Sequence, residues 1–382
     1  MLTEIPSDNF QFTRSYKRSD PNDTMSKLCR QVSIESPGAV INNCVLKHEV
    51  PVPEEIPSSG VRIRIVCAGA CYKKMRTSHD GVEQPNATHH GIRDGALFSG
   101  YEVSGIVDEL GADVKNVFKI GQRVVLYPYE DFPQGYTEYI VVPNPENLVP
   151  IPDNLPLSVA AMLPTGALLA KNAVIAAHLH VVDLIKEIPH NNVKILIVGT
   201  GGLALWAIRI ASHHFKTPEH ENKVNVTVAT LRDEGFKLAK EIMNVNLVQW
   251  NEDLYEDQLI ERTKDACSGY VDIVIDFATT SRSLQRSLQC LNNKGVVLIN
   301  EEAAEQLIPK FKPIAEQKQQ KIEVVAKGDI QQLKDLVTYV SKGEIIPPPH
   351  KEFPADDVVN VVQMLCQSEI PGRAILRFHD VQ

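Results

Sequence analysis

No run in the 382 residues approaches the roughly 18 consecutive apolar positions that a membrane-spanning helix needs, so no membrane partner is expected. The opening residues, MLTEIPSDNF, lack the cationic start and apolar stretch of a secretory signal, and a soluble, cytoplasmic protein is expected. Basic stripes are missing as well. With 39 Lys and Arg against 48 Asp and Glu, the formal charge is −9, which argues against nucleic acid, whose binding needs concentrated cations to release counterions. The cysteines are few, odd in number and scattered: Cys29, Cys44, Cys67, Cys71, Cys267, Cys290 and Cys366. That pattern suits reduced thiols and excludes a disulfide scaffold as the expected architecture.

What is present is enough chain and enough apolar content, 43%, for two ordinary cores. Residues 1–26 are polar and poor in groups that offset ordering entropy, and read as a flexible tail. From Gln31 to about Pro150 the pattern is short and β-like. Val61 to Val66 alternates at period two, Arg123 to Leu126 follows a glycine, and Tyr136 to Val142 is rich in β-branched and aromatic residues. Beyond Leu157 the texture turns helical, with Ser158 to Ala177 predicted as one helix. Strand candidates then alternate with helical patterns: Lys194–Val198, Asn225–Thr230, Asn246–Trp250, Val271–Phe277, Gly295–Ile299 and Lys321–Ala326. Six strands separated by helices predict an α/β doubly wound parallel sheet. After Gly343, Arg373 to Phe378 returns to β character and is expected to rejoin the first domain.

Lys194 to Val198 runs straight into Gly199-Thr200-Gly201-Gly202-Leu203-Ala204 and then an apolar helix. Strand, glycine turn and helix in that order present backbone amides and a helix N-terminus to a pyrophosphate, so Gly199, Gly201, Gly202 and Leu203 are candidate dinucleotide-binding residues. Discrimination between cofactors falls to the end of the second strand, where an acidic residue normally meets the adenosine ribose. Here that position is Thr230, with Arg232 two residues on. Without a carboxylate to repel a 2′-phosphate, and with a guanidinium to pair with one, NADP(H) is favoured over NAD(H); the competing reading makes Arg232 a solvated charge at a helix start.

These motifs, together with Gly100-Tyr101-Glu102-Val103-Ser104-Gly105, Gly111, Gly121-Gln122-Arg123-Val124, Val271 to Asp276 and Gly372-Arg373-Ala374, resemble the medium-chain dehydrogenase/reductase superfamily of zinc alcohol dehydrogenases and zinc-free quinone reductases. The resemblance covers about residues 30–380. With the tail (1–26) set apart, it implies a GroES-like β substrate domain (27–157 and 344–382) and a Rossmann dinucleotide-binding domain (158–343), with the nicotinamide held near Ala278 and Thr279. It also implies pairing through the edge of the Rossmann sheet, where Lys321 to Ala326 would lie, and so a homodimer acting on a small-molecule substrate.

The departures from that family carry as much information. Cys71 stands where zinc-dependent members have a metal-binding Cys, but Tyr101 replaces the His that precedes Glu102, and the third ligand falls near Thr165. One thiol and one glutamate are too few for catalytic zinc, so none is expected. His79, His89 and His90 are substitutes only if a polar loop turns them inward. The proton-relay positions after Cys71 hold Lys73, Lys74, Met75 and Arg76. Tyr101, Lys73 and Lys74 are therefore the candidate catalytic residues, as donors or charges beside a carbonyl oxygen that becomes negative. Equally, the Tyr101 ring fills the vacated pocket and the lysines face solvent. Cys71 is either a reactive thiol lowered by these cations or a buried remnant. The resulting expectation is a zinc-independent, NADP(H)-preferring oxidoreductase passing a hydride to a carbonyl, quinone or activated alkene, with a catalytically silent dinucleotide-binding sensor or scaffold as the alternative.

Overall fold

A computed structural model describes residues 27–380 apart from 35–44, 71–99, 130–134, 188–191, 200, 232, 243–244, 251–253 and 368. The tail 1–26 lies outside the described residues. Strands β1 (Leu28–Ile34) and β2 (Val45–Pro51) pair antiparallel. They are followed by β3 (Val61–Gly69), β4 (Val103–Leu110), β5 (Arg123–Leu126), β6 (Tyr139–Val142) and β7 (Leu148–Pro150). In β3, Val61, Ile63 and Ile65 are fully buried while Arg62 and Arg64 lie half-buried on the other face, the period-two pattern of a one-sided core. Arg62 keeps its charge paired with Asp108 at 2.7 Å.

The next segment corrects the expectation of one helix from Ser158 to Ala177. A short helix α1 (Leu157–Ala161) leads into a wide π turn (Leu163–Ala167), and only then does α2 (Leu168–Glu187) run regularly. Pro164 has no N–H to give and Gly166 is a poor helix former, so the ladder loosens here. By length and composition Leu163–Glu187 would also pass for a membrane span, although Lys171, His178, His180 and Asp183 interrupt it. Leu168, Ala170, Ala173, Val174, Ala177 and Val181 are buried in one core with Ile195, Ile197, Ile273 and Ile275 of the second sheet.

That sheet consists of β8 (Val193–Val198), β9 (Val224–Thr230), β10 (Asn246–Gln249), β11 (Val271–Asp276), β12 (Leu291–Asn300) and β13 (Lys321–Val325). All neighbours are parallel, in the order β10-β9-β8-β11-β12-β13. The order reverses between β8 and β11, which makes the carboxyl end of β8 the crevice where a ligand lies in such sheets. Helix α3 (Gly202–His214) follows β8, α4 (Asp233–Lys240) follows β9, α5 (Glu256–Ala266) precedes β11, and α6 (Ser281–Cys290) follows it. After α7 (Glu301–Gln317) and α8 (Ile330–Ser341), the chain returns as expected. Strands β14 (His350–Pro354) and β15 (Arg373–Arg377), separated by α9 (Val358–Cys366), extend the first sheet at β3 to give the order β14-β15-β3-β4-β5-β7. The fold is thus a GroES-like β unit joined to a doubly wound parallel sheet. Cys29, Cys67, Cys267 and Cys290 are free and buried.

A cluster of histidines lies on the second sheet's flank. His178 of α2 lies edge-on to His214 and His220, with ring centroids 4.8 and 5.0 Å away. His178 Nδ1 and His214 Nε2 are buried with no hydrogen-bond partner among the described residues. Burial, reinforced by His178 and His220, pushes His214 from 6.5 down to about 4. A histidine depressed in the folded state contributes stability above its unfolded pKa, and that stability is lost as pH falls from 6.5 towards 4. Replacing His214 with Phe should shrink the loss of unfolding free energy between about pH 7 and pH 4.5 by about 2 kcal/mol, read by urea titration at the two pH values.

Candidate functional site

The site begins where β8 ends. Gly199 has φ +117°, a conformation that side-chain-bearing residues rarely adopt, and its N–H donates to Ala229 C=O at 2.9 Å. This is the turn expected of it. Gly201 is different: with φ −74° and ψ −178° it is ordinary extended backbone at the N-cap of α3. It has no side chain to cap the helix, so the first N–H groups of α3 meet no capping oxygen there. That end of the helix suits an anion.

Gly202 has a second role that the local sequence conceals. A Cβ there would lie 2.6 Å from Arg373 Cδ, so the missing side chain makes room for Arg373 of β15. Leu203 is 2% exposed with its side chain in the core, so what it presents to the crevice is its backbone at the start of α3. Ala204 is fully buried, and a Cβ on Gly199 would meet it at 3.4 Å, so the small residue allows strand and helix to approach. Thr200 lies outside the described residues.

Arg373 is a candidate site residue that the sequence reading missed. It is ion-paired with Glu102, and the two side chains are only 7% and 2% exposed. Glu102 also accepts from the hydroxyl of Thr165 and, at 3.4 Å, from the N–H of Gly166, both in the π turn. Gly69 completes the cradle, since a Cβ on it would collide with the Glu102 carboxylate. Elements from the first sheet, the linking helix and the C-terminal strand thus converge on one carboxylate. The guanidinium beside it rests against the N-terminus of α3, next to Gly202. A charged residue opening each of two apolar strands was the available signal, but 271 residues separate the partners.

Thr165, the position read as that of the third metal ligand, does reach Glu102, and it uses its hydroxyl on that carboxylate. Tyr101 is partly buried and packs against the core of the first sheet. Neither offers the thiolate, imidazole or carboxylate that zinc prefers. Among the described residues no group of three His, Cys, Asp or Glu is placed to hold a metal ion. Cys71, Lys73, Lys74, His79, His89 and His90 lie outside the described residues.

Around the rest of the crevice, Thr230 at the end of β9 is fully buried, and its Oγ1 has no hydrogen-bond partner among the described residues. A ribose hydroxyl is one group that would pair with it. Arg232 lies outside the described residues. On the other side of β8, Ala278 is 7% exposed and Thr279 adopts φ +52°. Their N–H groups donate to Asp276 Oδ1 at 2.9 and 3.2 Å. The uncapped helix, Arg373, the orphaned Thr230 hydroxyl and this turn together fit a dinucleotide lying across the end of β8.

Comparison with known proteins agrees with the geometry. Residues 57–153 match the alcohol dehydrogenase GroES-like domain, and residues 253–376 match the zinc-binding dehydrogenase model. A zinc-type alcohol dehydrogenase-like protein of Schizosaccharomyces pombe is 24% identical over 353 residues, 86% of this chain and 94% of that protein. The L-idonate 5-dehydrogenase of Vitis vinifera is 22% identical over 67% of this chain and 72% of its own. Among solved structures, the quinone oxidoreductase from Coxiella burnetii superposes with a TM-score of 0.64 at 20% identity, covering 92% of this chain and 100% of that one. Cobalt- and zinc-bound alcohol dehydrogenase from Pyrobaculum aerophilum gives 0.65 at 20% identity, with the same coverage. Fold, glycine turn and family models coincide, and the chain belongs to the medium-chain dehydrogenase/reductase superfamily, whose members are oxidoreductases that bind nicotinamide dinucleotides.

Proposed function

We propose that the protein is a zinc-independent, NADP(H)-preferring oxidoreductase that transfers a hydride to a carbonyl, quinone or activated alkene. One observation carries the reading: Glu102 is held by Arg373 and Thr165 beside the uncapped N-terminus of α3. This arrangement commits the third metal-ligand position to a hydrogen bond and sets a cation against an anion site. When bound, the nicotinamide supplies or accepts the hydride. The chain's own part is to hold the pyrophosphate with the first N–H groups of α3 and Arg373, and to shape the nicotinamide end with Ala278 and Thr279. Tyr101, with Lys73 and Lys74, is proposed to donate to the substrate oxygen as negative charge develops on it. In this reading residues 27–157 and 344–382 form the substrate domain, residues 158–343 form the cofactor domain, and the protein works in the cytoplasm.

The test is consumption of NADPH across carbonyls, quinones and enones, with elemental analysis of the same preparation. Turnover with well under one zinc per chain supports the reading; stoichiometric zinc overturns its metal-free part. Dinucleotide binding without turnover of any of these substrates would leave a sensor or scaffold in its place.

A homodimer is part of the same proposal. Strand β13 is an edge of the parallel sheet and carries Val324 at 46% exposure, a surface open to symmetric pairing. Light scattering at micromolar concentration should return the mass of two chains, and a monomer mass would count against the pairing.

A further inference from the structure

Asp276 ends β11 in a setting unusual for a carboxylate. It is 1% exposed and stands in register with Val198 of β8, the residue immediately before the glycine turn. The N–H of Phe277 donates to Val198 C=O at 3.0 Å, so the turn after β11 is fastened directly to the strand that leads into Gly199. Asp276 Oδ1 accepts the N–H groups of Ala278 and Thr279, and Ser287 Oγ donates to Oδ2 at 3.4 Å. The two N–H bonds help hold Thr279 at its positive φ of 52°. Ala278 N in turn lies 3.7 Å from where a Cβ of Gly199 would be. The carboxyl therefore shapes the surface that faces the glycine turn across the crevice.

No cation among the described residues pairs with Asp276. On the elements packed around it the charges are committed elsewhere: Arg286 and Arg282 of α6 to Glu256, Lys171 of α2 to Asp335, His180 of α2 to Glu323, and Lys194, at the other end of β8, to Ser268 C=O. From α6 only the hydroxyls of Ser283 and Ser287 face it; β8 and β12 present Val198 and Ile299 in register.

We propose that Asp276 is a positioning residue for the dinucleotide, and that it takes up a proton as the dinucleotide binds, because the ligand's phosphates bring negative charge beside a buried carboxylate that has no counter-ion among the described residues. The inference rests on the reading of the glycine turn as a dinucleotide site. Burial, opposed by its hydrogen bonds to Ser283, Thr279, Ala278 and Ser287, already pushes the carboxyl up to about 6 in the free protein. A like charge nearby raises it further, and the difference between the two states is paired with proton uptake. Affinity then weakens as pH rises from the free-state pKa through the bound-state one.

ADP-ribose is the probe, because its two phosphates keep a fixed charge between about pH 5.5 and 8 and it has no titrating 2′-phosphate. Calorimetry of the wild-type protein at about pH 6.5, in two buffers of different ionisation enthalpy, should show net proton uptake, and the Kd should rise about tenfold from pH 5.5 to 8. Asp276→Asn keeps an acceptor for the two N–H groups but cannot titrate, and should abolish the uptake and flatten the pH profile. ADP-ribose binding by the wild type with no uptake and a flat Kd would overturn the inference whether or not the variant folds. Unchanged uptake in a folded Asp276→Asn would overturn it too. If neither ADP-ribose nor NADPH binds at any pH, the dinucleotide reading itself fails, and the inference with it.

Discussion

Arg373→Met should destabilise the folded protein by about 3–5 kcal/mol, because it leaves the Glu102 carboxylate buried without its cation. Both side chains are almost wholly enclosed, at 7% and 2% exposure, so water cannot take over the lost partner. The bonds from Thr165 and Gly166 remain and place the cost at the lower end of that range. Adding Glu102→Leu removes the stranded charge, and most of the loss should return in the double variant. Urea unfolding of wild type, both single variants and the double variant reads the cycle. Singles that cost less than about 1 kcal/mol would show that the pair is not the buried junction the geometry describes. In dinucleotide titrations the double variant should also bind more weakly than wild type, since it keeps the glycine turn and loses the guanidinium beside α3.

For cofactor choice the expected effect is a tenfold to hundredfold preference for NADPH over NADH that disappears in Arg232→Ala. A charge-assisted hydrogen bond from a guanidinium to the 2′-phosphate contributes about 1.5 to 3 kcal/mol, which is that range of affinity. In the proposed reading the glycine turn would serve either dinucleotide, so discrimination falls to the end of β9. Thr230 there carries no charge, and it is fully buried, leaving no carboxylate at that position to repel the phosphate. NADH affinity should be nearly unchanged in the variant. Calorimetry is the measurement of choice because Trp206 and Trp250, the two tryptophans of the chain, are both buried in cores, at 1% and 0% exposure. Tighter binding of NADH than of NADPH by the wild type would reject the preference. An unchanged ratio in Arg232→Ala would move the role to another cation, with Lys237 of α4 the first to test.

The sequence by itself determined the strand, glycine turn and helix at Lys194 to Ala211, the six alternating strands, and the return of Arg373 to Phe378 to the first sheet. These are local patterns. A strand buried on both faces is a continuous apolar run, a one-sided strand alternates, and a turn that needs positive φ at Gly199 calls for glycine; each is written within a few residues. The tertiary structure alone decided that Gly202 is small for the sake of Arg373, that Leu203 belongs to the core, and that Thr165 answers to Glu102. It also decided that the helix predicted from Ser158 to Ala177 opens into a π turn where it meets that carboxylate, and that Asp276 is enclosed with no cation beside it among the described residues. The physical reason is common to all of these. Burial and electrostatic environment are properties of what surrounds a side chain, and here the surroundings come from segments up to 271 residues apart, brought together only when both sheets and the C-terminal strand have closed on the end of β8.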